Sequence, residues 1–404
     1  MQPVMTACDG IRVVVVEDSA AVRMVVCAVL NAAPGISVVG EAANGRVGLV
    51  EIDRLKPDLV TLDVEMPDMD GLTMLVALRA KHPTLPVVMV SALTGRGAKT
   101  TLDALSKGAS DYVIKPAGTI AATRGAAEDH FRRELVPRVH ALCRYKAGRP
   151  SSSKSVASSS PGTSRLRPDG SMPPLSLGQR RAEIGDLRAR LAKSTIANGK
   201  FQVLAIGSST GGPAALEQML SGLTTDFPAP ILVAQHMPPM FTGMLAERLD
   251  TRTRLRVVEA ADGMELQAGW VYVAPGDFHL LVKRTATGVV LVTGKGPLEN
   301  SCRPAVDVLF RSVAEVYAAR ALAVVLTGMG YDGCLGAGSI AAQGGQVLAQ
   351  DKESSVVWGM PGAVVEAGIA TEVVALGQMA DAVNRRFTPA RSPERAATEV
   401  VATR

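Results

Sequence analysis

Short apolar segments rich in β-branched residues alternate with segments of helical length along most of the chain, and this alternation constrains the fold most. Before residue 145, strands are predicted at 11–16, 37–41, 59–62, 87–90 and 112–114. The gaps between them are long enough for helices, and consecutive strand–helix units form a parallel sheet with helices on both faces. The sequence therefore predicts a doubly wound, flavodoxin-like α/β domain in this region.

A second α/β domain is predicted after residue 200, where the same alternation resumes. Its strands are predicted at 201–206, 231–234, 256–259, 270–274, 323–326 and 346–349. Two alternating runs, 279–283 and 289–293, flank a turn that contains a glycine and predict an antiparallel hairpin inserted in that sheet. The expected fold is a doubly wound, mainly parallel, Rossmann-like domain that carries a hairpin.

The segment between these two regions has a different composition. Residues 147–200 are rich in Ser, Pro, Arg and Gly, and such a stretch cannot bury a core, although one short helix is expected at about 179–191. The expected organisation is a first domain at 9–126, a helix end and flexible linker at 127–198, a second domain at 199–388 and a disordered tail at 389–404.

The basic character of the chain is located in that linker. The net charge is +5, but residues 147–200 alone carry ten Lys or Arg against three Asp or Glu. Aromatic residues make up only 3% of the chain and are not interleaved with basic ones, which argues against nucleic-acid binding.

No stretch is apolar for the roughly 20 residues of a membrane span, and residues 1–10 lack a signal-peptide core, so a cytoplasmic protein without membrane insertion is expected. The five cysteines form no C-x-x-C pair and are expected to be reduced thiols.

Acidic and polar side chains follow the predicted strands of the first domain. Glu17 and Asp18 follow the first strand, Asp63 the third, Ser91 the fourth and Lys115 the fifth. In a parallel doubly wound sheet these positions converge on one crevice. Clustered carboxylates need a cation, and oxygen ligands at a part-open site suit Mg²⁺. Such a site can hold a phosphoryl group with Asp63 as the acceptor; the alternative is that each acid only caps a helix.

Four segments of this domain resemble the receiver domains of bacterial response regulators: 17–18, 63–71, 90–92 and 112–116. The resemblance covers residues 11–123 and implies a Mg²⁺-dependent phosphoaspartate at Asp63, with a histidine kinase as the phosphodonor. It implies that Asp18, Asp63 and the main-chain carbonyl of Glu65 bind the metal and that Glu17 acts through water. It further implies that Ser91 and Tyr112 shift on phosphorylation. The strand-end positions by themselves predict that Lys115 neutralises charge on the phosphoryl group and that the Ser91 hydroxyl donates to a phosphoryl oxygen.

A G-x-S-x-G pattern opens the second domain. The apolar run 201–206 leads into the turn 207–213 (GSSTGGP), in which Ser209 takes the place of a nucleophile. Such a turn lifts a hydroxyl off the end of a strand, and the N–H groups at the start of the next helix point to where an oxyanion would develop. The alternative is a close strand-to-helix turn in which Ser209 or Thr210 only caps the helix.

His236 and Asp332 each follow a predicted strand and are expected on the same rim as Ser209, as general base and as the carboxylate that orients it. His279, the other histidine after the linker, begins the hairpin and is expected to be structural. A competing interpretation remains open here. Residues 328–333 also fit the G-x-G-x-x-G of dinucleotide binding, with Asp351 about twenty residues further on, and the domain could also be a non-catalytic output module.

Five segments of the second domain resemble the catalytic domain of the chemotaxis protein-glutamate methylesterases of the CheB type: 207–213, 235–242, 273–276, 303–307 and 327–333. By that resemblance Ser209, His236 and Asp332 are the catalytic triad, with Thr210 and Met329 lining it at the oxyanion site. The implied activity is hydrolysis of glutamate methyl esters on chemoreceptor helices, without a cofactor, and in some members deamidation of glutamines. Ser208 and Cys302 depart from the usual pattern of that family.

Overall fold

The structure is a computed structural model that describes residues 10–116, 124–146, 185 and 201–387. Two compact units are separated between residues 162 and 163, and each is described by itself below. The expected linker after residue 146, the short helix expected at 179–191 and the tail at 389–404 lie outside the described residues, apart from residue 185. Within the described ranges no helix combines the length and the apolar character that a membrane crossing requires.

The first unit is a five-stranded sheet in the order β2-β1-β3-β4-β5, and every neighbouring pair is parallel. The strands are β1 (Ile11–Val16), β2 (Ile36–Ala42), β3 (Leu59–Asp63), β4 (Val87–Ser91) and β5 (Asp111–Ile114). The helices are α1 (Ala20–Asn31), α2 (Gly45–Leu55), α3 (Gly71–Lys81), α4 (Gly95–Ser106) and α5 (Arg124–Lys146). The five predicted strands are present, and the order reverses between β1 and β3, where the ligand crevice of such folds lies.

Local sequence explains where these helices begin. Ser19, Asn44, Asp70 and Thr94 are the N-caps of α1 to α4, and the side chain of each accepts a hydrogen bond from a first-turn N–H. A cap of this kind stabilises a helix by about 1 kcal/mol. The helix end predicted after residue 126 is part of α5. Apolar side chains of α5 are buried, and the helix contacts α1.

The second unit is a seven-stranded, all-parallel sheet in the order β14-β13-β12-β6-β7-β9-β8. Its strands are β6 (Val203–Ser208), β7 (Ile231–Gln235), β8 (Arg256–Glu259), β9 (Trp270–Val273), β12 (Ala321–Val325), β13 (Gln346–Gln350) and β14 (Glu372–Val374). Its helices are α6 (Gly212–Ser221), α7 (Phe241–Arg252), α8 (Val306–Tyr317), α9 (Cys334–Ala342), α10 (Met360–Glu366) and α11 (Leu376–Phe387). The short edge strand β14 was not predicted, because three residues are too few to show alternation.

The predicted hairpin is present as β10 (His279–Arg284) and β11 (Val289–Gly294), but it is not inserted in the large sheet. The two strands pair antiparallel with each other as a separate two-stranded sheet. The reason is that β10 packs against α8 instead: Leu280 and Val282 are buried, and the Val282 N–H donates to Ser312 Oγ of that helix at 3.1 Å.

Candidate functional site

Three adjacent parallel strands, β12, β6 and β7, bring Asp332, Ser209 and His236 to one edge of the second sheet. Ser208 is in register with Gln235, so Ser209 and His236 follow at the next positions of neighbouring strands, about 5 Å apart in backbone. The His236 N–H donates to the Ser208 carbonyl at 3.1 Å, which continues the pairing beyond the strands. The structure therefore places the three residues of the predicted triad on one rim.

The two adjacent serines of the turn have different surroundings. Ser208 is fully buried, and its hydroxyl donates to Gln235 Oε1 at 2.7 Å. Ser209 is partly exposed at the rim, and within the described residues its hydroxyl makes no hydrogen bond. Its N–H donates to the Thr327 carbonyl at 3.0 Å, which fixes the backbone of the turn. Of the two hydroxyls, only that of Ser209 is available to attack a substrate.

The turn into α6 is shaped by glycine rather than by a capping side chain. The N-cap is Gly211, with φ of 76°, and no side chain caps the helix, so Ser209 and Thr210 are not caps. A Cβ on Gly212 would lie 2.0 Å from Gln235 Oε1, so only glycine fits there. No side chain caps α6 beside Ser209, but the Gly212 N–H donates to the Ser209 carbonyl at 2.8 Å and Pro213 has no N–H, so an oxyanion site would use other N–H groups of this turn. Thr210 is buried in this turn, and Met329 lies half-buried in the loop after β12.

His236 and Asp332 form a buried pair. His236 Nε2 lies 2.7 Å from Asp332 Oδ2, which also accepts the Val306 N–H at 2.6 Å. Asp332 Oδ1 accepts three further hydrogen bonds, from Asn300 Nδ2 at 2.8 Å, the Asp307 N–H at 3.1 Å and the Gly333 N–H at 3.0 Å. The donors of Val306 and Asp307 are the first N–H groups of α8, where a negative charge is stabilised by the helix terminus. The carboxylate is therefore held in one orientation with every acceptor position used.

These contacts set the protonation states of the pair. Burial alone would raise the pKa of Asp332, but the hydrogen bond and charge of His236 and the surrounding donors lower that pKa to about 2. Burial likewise opposes protonation of His236, but its interactions with Cys302 and Asp332 raise the pKa of His236 well above its usual value. Asp332 consequently remains ionised at neutral pH, and His236 needs a higher pH than a free imidazole to act as a base.

Cys302 contacts the second nitrogen of the imidazole, and sequence reasoning did not predict this. Its Sγ lies 3.5 Å from His236 Nδ1, in a loop where Asn300 and Ser301 both have left-handed φ angles. The only sequence signal was that Cys302 departs from the usual residue of the resembling family. Asn300 and Asp307 were also missed, since neither fits a catalytic motif, although Asp307 lies within one of the resembling segments.

His279 is structural, as expected. It is buried, its Nε2 lies 2.9 Å from the Pro297 carbonyl, and its Nδ1 accepts the Ala305 N–H at 3.2 Å.

The dinucleotide interpretation does not fit the local structure. Asp332 accepts the N–H of Gly333, the N-cap of α9, so a carboxylate already lies where a pyrophosphate would bind. Asp351 is engaged in its own turn, where it accepts the N–H and the hydroxyl of Ser354.

The crevice of the first unit gathers the predicted acids. One ligand oxygen from each of Glu17, Asp18 and Asp63 lies within 4.8 Å of the other two. Lys115 Nζ lies 2.9 Å from Glu17 Oε1 and 2.9 Å from Asp63 Oδ2. Glu17 and Asp63 are buried, whereas Asp18 is exposed.

The remaining predicted residues of this crevice lie around it. The Glu65 N–H donates to Asp63 Oδ1 at 3.3 Å, and its side chain is exposed. Ser91 is buried at the end of β4, with its hydroxyl donating to the Ala92 carbonyl at 3.2 Å, and Tyr112 is buried on β5. A Cβ on Gly71 would lie 2.0 Å from the Asp63 carbonyl, so the start of α3 approaches the acceptor strand as closely as glycine allows.

The electrostatics of the crevice call for a cation. Burial and then the charge of Asp63 raise the pKa of Glu17 to about 8, and burial raises the pKa of Asp63 as well. Burial would lower the pKa of Lys115, but the charges of Glu17 and Asp63 raise it. One lysine does not satisfy both acids, because Glu17 Oε2 is buried without a hydrogen-bond partner. An oxygen donor set with this orphaned acceptor fits Mg²⁺.

Comparison with known proteins assigns a different domain family to each of the two units. The response regulator receiver domain family matches residues 13–123, and the CheB methylesterase family matches residues 204–383. The protein-glutamate methylesterase/protein-glutamine glutaminase of Trichodesmium erythraeum (strain IMS101) is 42% identical over 376 residues, which cover 93% of this chain and 99% of that protein. The chain belongs to the protein-glutamate methylesterase/protein-glutamine glutaminase family.

Other members of this methylesterase family are similarly close. The protein of the same name from Nocardioides sp. (strain ATCC BAA-499 / JS614) is 44% identical over 382 residues, which cover 95% of this chain and 97% of that protein. The crystal structure of the Thermotoga maritima CheB methylesterase catalytic domain is 45% identical, covers 46% of this chain and 99% of that chain, and has a TM-score of 0.45. Membership in the methylesterase family confirms the predicted combination of a receiver domain and a hydrolase domain.

Proposed function

We propose that this methylesterase-family chain hydrolyses methyl-esterified glutamate side chains on the cytoplasmic helices of chemoreceptors, releasing methanol, and that it also deamidates receptor glutamines. Both activities stand in the names of its relatives. The observation that carries the proposal is the His236–Asp332 pair, 2.7 Å apart, beside the available hydroxyl of Ser209. These three residues are proposed as the catalytic triad.

The chemistry of the triad follows from which imidazole nitrogen is occupied. Asp332 holds Nε2, so Nδ1, which Cys302 Sγ contacts at 3.5 Å, is the nitrogen that takes the proton of Ser209 Oγ as this oxygen attacks the ester carbonyl. Asp332 stays ionised and stabilises the imidazolium that forms. The tetrahedral oxyanion is held by N–H groups of the turn that leads into α6, in a crevice lined by Thr210 and Met329, and each such donor contributes about 10²- to 10³-fold in rate.

The intermediate then breaks down in two steps. His236 returns its proton to the leaving methoxide, methanol departs, and an acyl ester of Ser209 remains. A water molecule gives its proton to His236 and attacks the acyl carbonyl, which frees the glutamate side chain and restores Ser209. Deamidation uses the same steps with ammonia as the leaving group. No cofactor takes part in this proposed chemistry.

The receiver is proposed to control this activity through Asp63. Mg²⁺ held by Asp18, Asp63 and the Glu65 carbonyl, with Glu17 acting through water, would neutralise negative charge during phosphoryl transfer. Asp63 accepts the phosphoryl group from a histidine kinase. Lys115 and the Ser91 hydroxyl bind the phosphoryl oxygens, and Tyr112 shifts together with Ser91. A phosphoryl group adds about −1.5 to −2 charge, which shifts the population toward the more active state.

Methanol release from receptor membranes that carry labelled methyl esters tests the proposal. We expect the full chain to release methanol, and to do so faster when Mg²⁺ and a small phosphodonor are added. Asp63→Asn is the matched control, and it should abolish the stimulation by the phosphodonor. Deleting residues 1–196 should raise the unstimulated rate if the receiver inhibits the esterase. Absence of methanol release under every condition would contradict the proposed activity.

A further inference from the structure

A second acid lies beside the triad carboxylate and takes no part in the proposed chemistry. Asp307, the second residue of α8, is fully buried. A single amide joins it to Asp332: Asn300 Nδ2 donates to Asp307 Oδ2 at 2.9 Å and to Asp332 Oδ1 at 2.8 Å. Since an amide nitrogen carries two hydrogens, both donors of Asn300 are used, one for each carboxyl group.

The two carboxyl groups are unequally supplied with donors. Asp332 accepts five hydrogen bonds, including that of the imidazole. Asp307 accepts the Asn300 amide and the Gly336 N–H at 2.6 Å. Two neighbouring buried acids cannot both ionise without a large penalty, so the better supplied one carries the charge and the other keeps a proton. Burial and then the charge of Asp332 raise the pKa of Asp307 well above its usual value, in agreement with this division.

Other charged groups near the two acids do not change which of them is ionised. Asp307 also faces Glu299, Arg311 and the thiol of Cys334, and Arg311 is paired with Glu299. His236 faces Asp332 and Cys302. The nearby cation is therefore neutralised by its own partner.

Contacts of the residues before and after Asn300 hold its loop in place. Arg311 of α8 binds both carboxylate oxygens of Glu299, at 2.6 and 2.5 Å, which ties the loop to the helix of Asp307. Asn300 itself has φ of 53°, a left-handed conformation that asparagine tolerates better than most residues. Two residues later the same loop places Cys302 against His236. One short loop thus contacts both members of the imidazole–carboxylate pair.

We propose that Asn300 is a positioning residue that, together with a protonated Asp307, keeps Asp332 ionised and turned toward His236, and thereby sets the pH range in which the imidazole acts as a base. This role rests on the proposed esterase chemistry but acts on a property of His236 that can be measured without substrate. Because Asn300 withdraws charge from Asp332, its removal makes the carboxylate attract a proton on the imidazole more strongly.

The test is the titration of His236 in the full chain, followed by NMR with labelled histidine and assigned by the signal that His236→Gln removes. Asn300→Ala should raise the titration midpoint by up to about one unit, since a hydrogen bond to a charged group is worth about 1.5–3 kcal/mol and one unit is about 1.4 kcal/mol. The acid limb of kcat for methanol release should move in the same direction, with little change in KM.

Asp307→Asn tests whether Asp307 carries a charge, because the amide keeps the shape of the side chain but cannot ionise. A protonated acid and an amide are both neutral, so this variant should leave the His236 midpoint where it is. A fall of the midpoint in Asp307→Asn, or an unchanged midpoint in Asn300→Ala, would overturn the proposal. Ser301→Ala is the matched control, because Ser301 is exposed and has the same left-handed backbone as Asn300 but is not placed in this network. If the titrations behave as expected but no variant or wild type releases methanol, the proposed function fails and the positioning role stands.

Discussion

The receiver and the esterase unit each bury a pair of neighbouring acids, and the surroundings of the two pairs differ. In the receiver, Glu17 and Asp63 share Lys115, and Glu17 Oε2 has no hydrogen-bond partner. In the esterase unit, Asp332 accepts five hydrogen bonds, and an amide links it to Asp307. The pKa of Glu17 is raised to about 8, whereas that of Asp332 is lowered to about 2.

Helix starts account for much of this difference. The first N–H groups of α8 donate to Asp332, so the helix terminus is used to stabilise a charge that belongs to the protein. In the receiver, α1 and α3 are capped by their own residues Ser19 and Asp70. The comparison teaches that the receiver site is incomplete and suited to take a cation and a phosphoryl group, while the esterase site is complete and serves to orient an imidazole.

The largest effect should come from neutralising the carboxylate of the esterase site. Asp332→Asn should lower kcat/KM for methanol release about 10⁴-fold, because a neutral amide neither stabilises the imidazolium nor selects the productive tautomer. The rate of methanol release from labelled receptor membranes measures this. A loss of less than tenfold would mean that Asp332 does not orient the base.

The corresponding Asp-to-Asn substitution in the receiver should increase the stability of that unit. Asp63→Asn removes one of two buried acids that share a single lysine, so without Mg²⁺ the receiver should become more stable by on the order of 1–2 kcal/mol. Amide hydrogen exchange over β1 and β3 in the full chain would report it. Faster exchange in Asp63→Asn would show that Lys115 already compensates both acids.

Mg²⁺ should stabilise the receiver in a pH-dependent way. The folded pKa of Glu17, about 8, lies above the 4.5 of the free side chain, so the unfolded chain loses its proton first and stability falls as the pH rises between these values. Mg²⁺ at about five times its dissociation constant should restore about 1 kcal/mol near pH 8 and less near pH 5, where Glu17 keeps its proton. Exchange over β1 and β3 measures the gain, and equal gains at both pH values would contradict this account.

A smaller effect is expected at Cys302. Because the contact of Cys302 Sγ with Nδ1 raises the pKa of His236, Cys302→Ala should move the acid limb of kcat/KM to lower pH, by less than about one unit. The pH profile of methanol release checks this, with Cys27→Ala in the receiver as a matched control. A profile identical to that of the wild type would show that the thiol does not influence the base.

The sequence predicted much of this arrangement, because strand ends in parallel sheets converge by a general rule. Glu17, Asp63 and Lys115 meet in one crevice, and Ser209, His236 and Asp332 meet on another rim, without any need for side-chain detail. The roles of these residues remain predictions.

What could not be predicted depends on loops rather than strands. The contacts of Asn300 and Cys302 require the left-handed turn at 300–301, for which no local pattern exists in the sequence. The separate hairpin sheet also depends on tertiary packing against α8, because alternation alone does not say which element a strand covers.

The central claim is that the Ser209 hydroxyl is the nucleophile and that the imidazole pair activates it. The most direct measurement is to treat the full chain with a fluorophosphonate, which phosphonylates activated serines with loss of fluoride, and to locate the adduct by mass spectrometry. The account predicts a single adduct on Ser209, lost in Ser209→Ala and in His236→Gln and retained in Ser208→Ala. An adduct on Ser208, or one on Ser209 that persists in His236→Gln, would contradict it.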